Sequence, residues 1–367
     1  MTDMAHPQRS VNEAAINNPA LTWKWIFLVL ILLLLVFFVL DLFLGSVSIK
    51  PADVLRSLAG QGDENTRTLI IKFRLPKAIT AILAGIALSL SGLQMQTIFR
   101  NPMAGPYVLG VSSGAGLGVA LVILGFSSWS GISLNATGNW IIVSSAWIGA
   151  GAVMILILFI SSRLRSIMTV LIIGMMLASG ISAIVSILQY FSNETMLKAY
   201  VVWTMGSLGN LSAGQLSVLS LSVGTGVILS MISVKMLNAL LIGETYASSA
   251  GLNVTVARII VFACTSILSG SVTAFCGPIA FIGIAVPHIV RNLLRTSDHR
   301  LLVPGTVFTG AIIMLVSDIL SQLPGSEKVL PVNSVTSLIG IPVVIWIILR
   351  NNRNSELFLL KPAKTKY

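Results

Sequence analysis

The stretch Asn101 to Gly118, NPMAGPYVLGVSSGAGLG, carries glycines at 105, 110, 114, 116 and 118. Glycines that dense often fold around phosphate, but a phosphate-binding loop also needs Lys followed by Ser or Thr at the head of a helix. No Lys occurs between Lys77 and Lys198. The spacing of Gly110, Gly114 and Gly118 instead predicts one small face along a helix, the pattern by which membrane helices approach closely. Ala81, Gly85 and Ser89 repeat it, as do Gly174, Ala178, Ser182 and Ser186. The other reactive side chains form no constellation. The histidines are His6, His288 and His299, with no H-E-x-x-H or Cys/His cluster. Cys264 and Cys276 fall in one predicted helix, about 18 Å apart along its axis, too far to bond. Asp41 and Asp318 stand near span ends and read as locally paired boundary carboxylates, leaving no acidic residue at a membrane midplane. His288, beside Arg291 at a span end, reads as structural. The chain thus offers no catalytic residue, no metal site and no cofactor of its own.

The elements that carry these residues lie in a membrane. Of 367 residues, 55% are hydrophobic and 10% charged, with mean hydropathy +0.93; a soluble domain has roughly 25% charged residues. The first apolar run, Trp23 to Leu44, covers about 33 Å as a helix, enough for a hydrocarbon core of roughly 30 Å. Further runs give about ten spans, near 23–44, 75–98, 105–125, 139–160, 168–189, 214–234, 257–277, 280–297, 301–320 and 331–349. The predicted fold is an all-α polytopic membrane protein: a tail over 1–22, one permease domain over 23–349 and a tail over 350–367.

With both termini cytoplasmic, 15 of the 23 Lys and Arg face inside, as the positive-inside bias requires. Six of the others, Lys50, Arg56, Arg67, Lys72, Arg74 and Lys77, crowd into the first outer segment and need a reason. The net charge of +11 is therefore mostly topological and does not signal nucleic acid.

A short internal echo, Leu90-Ser91-Gly92 before Gly105-Pro106 and Leu268-Ser269-Gly270 before Gly277-Pro278, predicts an inverted repeat of the kind many transporters use. One inner segment stands out, Leu241-Ile242-Gly243-Glu244-Thr245-Tyr246-Ala247-Ser248-Ser249-Ala250-Gly251-Leu252. Its short side chains, glycines near both ends and single charge suit a short helix seated in another protein's groove.

Ordered motifs from about residue 45 to 350 resemble the FecCD-type permeases. They are Arg74-Leu75-Pro76-Lys77, Arg100-Asn101-Pro102-Met103-Ala104, Trp203-Thr204-Met205-Gly206-Ser207, Gly277-Pro278-Ile279-Ala280-Phe281-Ile282-Gly283, Pro287-His288, Asp298-His299-Arg300, Ser317-Asp318 and Leu330-Pro331-Val332. The resemblance implies the membrane subunit of a bacterial inner-membrane ABC importer for ferric siderophores, haem or cobalamin. It further implies a second permease copy in a homodimer, two cytoplasmic ATPases and an external binding protein. It makes 241–252 the ATPase-coupling segment, and Arg74 and Lys77, with help from Lys328, the docking residues. Asn101, Met103, Gly174, Ala178, Ser182 and Ser186 are expected along the translocation path, while Gly110, Gly114 and Gly118 pack helices. Two departures stand out: Gln322 where the family has a base, and Asn333 where it has Gly. An ion-coupled secondary transporter is the alternative reading, separable by whether ATP or an ion gradient drives uptake.

Overall fold

The computed structural model describes residues 19–45, 49–58, 60–61, 63–126, 136–164, 166–209, 211–322 and 329–359. All regular structure among them is helical. Seven helices are long and apolar enough to cross a membrane: Trp23–Phe43, Glu64–Ile98, Trp140–Arg163, Ile167–Phe191, Ala213–Ile232, Val254–Cys276 and His299–Ser321. Shorter apolar helices over Val111–Gly125, Ile282–Leu294 and Val332–Trp346 bring the number of spans to ten. The second, seventh and ninth spans form the centre, with 78%, 67% and 67% of their apolar windows buried, against 17% for the first and 22% for the fifth. The two echoed Leu-Ser-Gly segments lie on two of these central helices, the second and seventh spans.

Several boundaries differ from the sequence reading. The second span begins at Glu64, not near 75, so Arg67, Lys72 and Arg74 are helical. Asp63 starts this helix by accepting the Thr66 N–H at 3.2 Å, a side-chain cap for one of the unpaired donors of the first turn. Pro76 has no N–H to continue the ladder; a wider π-helical turn over Ile70–Arg74 precedes it and keeps the chain helical through the polar segment. The third span begins after Gly110, not at 105. Pro106–Leu109 forms a single 3-10 turn, and Gly110 follows it with φ 73, a left-handed conformation open to glycine. Gly110 is thus a cap at the head of the third span as well as a packing contact, since its Cβ position lies 3.5 Å from Val153 Cγ1 of the fourth span and 3.7 Å from Ala178 Cβ of the fifth. The tenth helix runs to Leu359, into the stretch expected as a tail. Two short outer helices, Pro51–Leu58 and Glu194–Thr204, were not anticipated from apolar runs, because they are too polar and too short.

Small residues set the closest approaches. A Cβ on Gly114 would lie 2.5 Å from Gly149 O and 2.6 Å from Val153 Cγ2, and one on Gly118 would overlap Ser145 O. The third and fourth spans therefore touch backbone to backbone, as the spacing of Gly114 and Gly118 implied. Gly85 and Ser89 meet Gly310 of the ninth span in the same way, and Gly92 meets Gly283 of the eighth. A buried polar knot ties the second, sixth and seventh spans together. Gln94 Nε2 donates to Ser230 Oγ at 2.8 Å, and Gln94 Oε1 accepts from Thr265 Oγ1 at 2.8 Å. Every member has a partner, the condition under which a buried polar network is not a penalty.

Candidate functional site: the two polar ends of the bundle

At the inner end, a stem helix Val234–Ile242 leads from the sixth span to Gly243, whose φ of 138 breaks the chain direction. A short helix Glu244–Ser249 follows, then Gly251 with φ 86, and Asn253 caps the seventh span through Val256 N at 3.1 Å. Only Gly243 and Ala247 of this segment are buried, while Ile242 and Tyr246 are 61% and 56% exposed. The segment is therefore a short helix at the edge of the bundle with apolar side chains uncovered.

Three contacts hold it there. Arg258, buried in the seventh span, grips Glu244 with a two-pronged pair, Nε to Oε1 at 2.9 Å and Nη2 to Oε2 at 2.5 Å. Its remaining Nη1 donates to Leu164 O at 3.2 Å, at the end of the fourth span. Arg100, from the turn after the second span, donates Nη2 to Leu241 O at 3.0 Å. The bidentate fork fixes orientation as well as charge.

A second network joins the stem to the second and ninth spans. Asn238 Nδ2 donates to Asp298 Oδ1 at 2.7 Å, which fixes the amide orientation, and its Oδ1 accepts from His299 N at 2.9 Å. His299 Nδ1 faces the same Oδ1 at 2.8 Å, so Nδ1 carries the proton. The other ring nitrogen meets Thr97 Oγ1 at 2.8 Å. Burial pushes the Asp298 carboxyl up, but the Arg300 N–H, the Asn238 amide and the nearby Arg300 charge outweigh it and hold it below the usual range. Beside this network, His288 Nε2 donates to Pro102 O at 2.8 Å, and Arg291 Nη1 donates to Gln96 Oε1 at 2.5 Å. His288 holds the turn that carries Asn101 and Met103, in keeping with the structural role read for it.

The residues expected along the path divide into two groups. Gly174 is buried against Val108 O, 2.7 Å from where its Cβ would stand, and Ala178 Cβ lies near Gly110. These two pack the fifth span against the turn before the third. Ser182 and Ser186 are exposed, and Met103 is 39% exposed. Asn101 Oδ1 accepts the Met103 N–H at 2.9 Å, closing its own turn.

At the outer end, Arg74 and Lys77 do not project as free charges. Arg74 is buried and donates Nη1 to Leu42 O at 2.8 Å and Phe43 O at 3.0 Å, at the C-terminus of the first span. That terminus carries the negative end of the helix dipole, which favours a cation. Lys77 Nζ pairs with Asp318 Oδ1 at 3.0 Å. Gln322 Nε2 donates to Asp41 Oδ1 at 3.2 Å and to Asp318 Oδ2 at 3.0 Å, so the amide that replaces the family's base bridges two buried acids. Both bases and Gln322 still line an open cup of about 200 Å³, with Leu69, Phe73, Gly209 and Val329 as its other walls. Lys328 lies outside the described residues. Asn333, the other departure, braces the turn between the seventh and eighth spans, where its Oδ1 accepts the Ala280 N–H at 3.0 Å. Sequence reasoning missed Arg258, Asn238 and Gln94, because each is defined by a partner distant in the chain.

A ten-span helical bundle with an uncovered helix braced at its inner end belongs to the class of transporter membrane subunits. The chain is a member of the FecCD transport family, whose profile matches residues 32–350. It is similar to the hemin transport system permease protein HmuU of Yersinia pestis, 35% identical over 281 residues, 76% of this chain and 83% of that protein. It is likewise 35% identical to the vitamin B12 import system permease protein BtuC of Salmonella typhimurium over 283 residues, 77% of this chain and 84% of that one. A solved structure, reported as an inward-facing conformation of a metal-chelate type ABC transporter, superposes with TM-score 0.78 at 29% identity, over 89% of this chain and 99% of the other. The protein is therefore an ABC importer permease that crosses the membrane many times.

Proposed function

We propose that this chain is the permease of an ATP-driven importer in the cytoplasmic membrane. It carries an iron chelate, siderophore or haem, or a corrinoid, delivered by an external binding protein. Two copies assemble with two cytoplasmic ATPases and move the cargo by alternating access. The observation that carries this reading is the segment 241–252. It exposes Ile242 and Tyr246 while being braced to the second, fourth and seventh spans. Motion imposed on that helix by an ATPase would reach the bundle through these contacts. Ser182 and Ser186 on the exposed fifth span, with Met103 at its inner approach, suit a wide and weakly binding path. The similarity to hemin and vitamin B12 permeases supports a bulky chelate as cargo. Arg74 and Lys77 at the outer cup fit docking of carboxylates from the binding protein. The test is uptake into proteoliposomes holding the permease with its co-purifying ATPase and binding protein. Uptake that needs ATP and survives collapse of proton and sodium gradients is expected; uptake driven by a gradient without ATP would overturn the reading.

A further inference from the structure

Two bases, Arg74 and Lys77, line the outer cup with the uncharged Gln322, and two buried acids, Asp41 and Asp318, lie behind it within reach of Gln322 Nε2. The two bases are not equivalent. The Arg74 guanidinium is committed to two carbonyls at the end of the first span, and Gly45 makes room for it, since a Cβ there would lie 2.9 Å from Arg74 Nη2. Lys77 has one ion-pair partner, Asp318, and a flexible stem that passes Gly209, with Cδ 3.6 Å from where a Gly209 Cβ would be. Its side chain is 20% exposed, whereas that of Asp318 is fully buried. A lysine ammonium is a compact charge on four rotatable carbons and can change partners without rebuilding its surroundings. Asp318 would keep the Gln322 Nε2 donor at 3.0 Å after that change, with the Ser321 hydroxyl, which donates to Asp318 O at 2.8 Å, 3.3 Å from its Oδ1.

Resting on the docking role proposed for Arg74 and Lys77, we infer that the outer cup is a guarded socket: Asp318 occupies Lys77 in the free permease, and a partner carboxylate engages Lys77 only by taking Asp318's place. Arg74 shapes the cup and ties the first span to the second, and Lys77 alone is exchangeable. The guard lowers the attraction of stray anions and makes docking depend on a carboxylate delivered at the right depth, a case of specificity obtained by an internal competitor.

The direction of this effect separates it from simple charge docking, in which Asp318 would be a bystander. Asp318→Asn removes the competitor, and Gln322→Lys gives the two acids a substitute base; both release Lys77. Two measurements are made on the full-length permease in nanodiscs, after gel filtration shows each variant folded. One is acylation of the Lys77 amine by a water-soluble succinimidyl ester, followed by mass spectrometry. The other is association of the binding protein that co-purifies with the importer. Labelling of Lys77 should rise at least about fivefold in either variant, since even an exposed pair contributes up to about 1 kcal/mol and this one is mostly buried, and association should quicken in parallel. Rapid labelling of Lys77 in the wild type, or unchanged labelling in the folded variants, overturns the guard whatever docking does. Raised labelling with no change in association leaves the guard standing and removes the docking role of Lys77. Should Asp318→Asn fail to fold, Gln322→Lys retains every native group except one amide and decides the matter alone.

Discussion

Glu244→Gln tests whether the inner helix transmits force through Arg258. In the structure Arg258 is 5% exposed and Glu244 32%, joined by two hydrogen bonds. Breaking a fully buried ion pair costs about 3–5 kcal/mol, because one charge is left unpaired. A wholly exposed pair contributes only about 0.2–1 kcal/mol. With one partner buried and the other a third in water, and with Leu164 O still on Arg258, a loss of about 2 kcal/mol is expected. At 1.4 kcal/mol per factor of ten, this weakens seating of the inner helix on the seventh span about 30-fold. The assay is cargo moved per ATP hydrolysed by the reconstituted importer, beside the thermal midpoint of the purified permease. Both should fall. Adding Arg258→Gln removes the stranded charge, so the double variant should regain much of its thermal stability without regaining coupling, since the fork is still missing. A Glu244→Gln protein with normal cargo per ATP would refute the strut, however its stability changed.

Four further outcomes are expected. The purified chain alone should hydrolyse no ATP in a phosphate-release assay, and hydrolysis above background that follows the polypeptide would contradict its assignment as a permease. Gly114→Ala should lower the thermal midpoint by the equivalent of about 1–3 kcal/mol, the usual cost of overpacking, and Gly114→Leu should abolish folded expression, because a Cβ already sits 2.5 Å from Gly149 O. Gly180→Ala, with nothing within 4 Å of its Cβ position, should leave stability unchanged or raise it. Ser248→Arg, on the exposed face of the inner helix, should block ATPase co-purification and uptake in a protein of normal stability; Gly251→Arg should do the same with an added strain penalty, because Gly251 has φ 86. Normal uptake by Ser248→Arg would remove the coupling role.

What the sequence made legible is what depends on local period. Ten apolar runs became ten spans, and the spacing of Gly114 and Gly118 named a contact face whose partners, Gly149 and Ser145, lie on the next helix. The same spacing did not show that Gly110 is also a helix cap. A spacing of four does not reveal where a helix starts, and the left-handed turn that makes Gly110 a cap follows from the 3-10 turn at Pro106. Nor did it separate the residues of the fifth span, where Gly174 and Ala178 face the turn before the third span while Ser182 and Ser186 are exposed.

The surroundings of the charged residues were hidden for a different reason. Arg74 and Lys77 are basic on the side where bases are disfavoured, and taken alone they point outward to a partner. The acids beside them, Asp41 and Asp318, lie on the first and ninth spans, and nothing near Arg74 and Lys77 in the chain announces the contact. The one clue was Gln322. An amide at 322 reaches both acids but brings no charge, and Lys77 is the base that stands on Asp318. On the guarded-socket reading, the departure at 322 changes what holds Lys77. Restoring the base by Gln322→Lys should accordingly do more than add one positive charge: it should return the Lys77 ammonium to solvent, where the acylation reagent reaches it. If the amine stays protected with a lysine at 322, Asp318 holds Lys77 regardless of its other neighbours, and the pair is a fixed tie between the second and ninth spans.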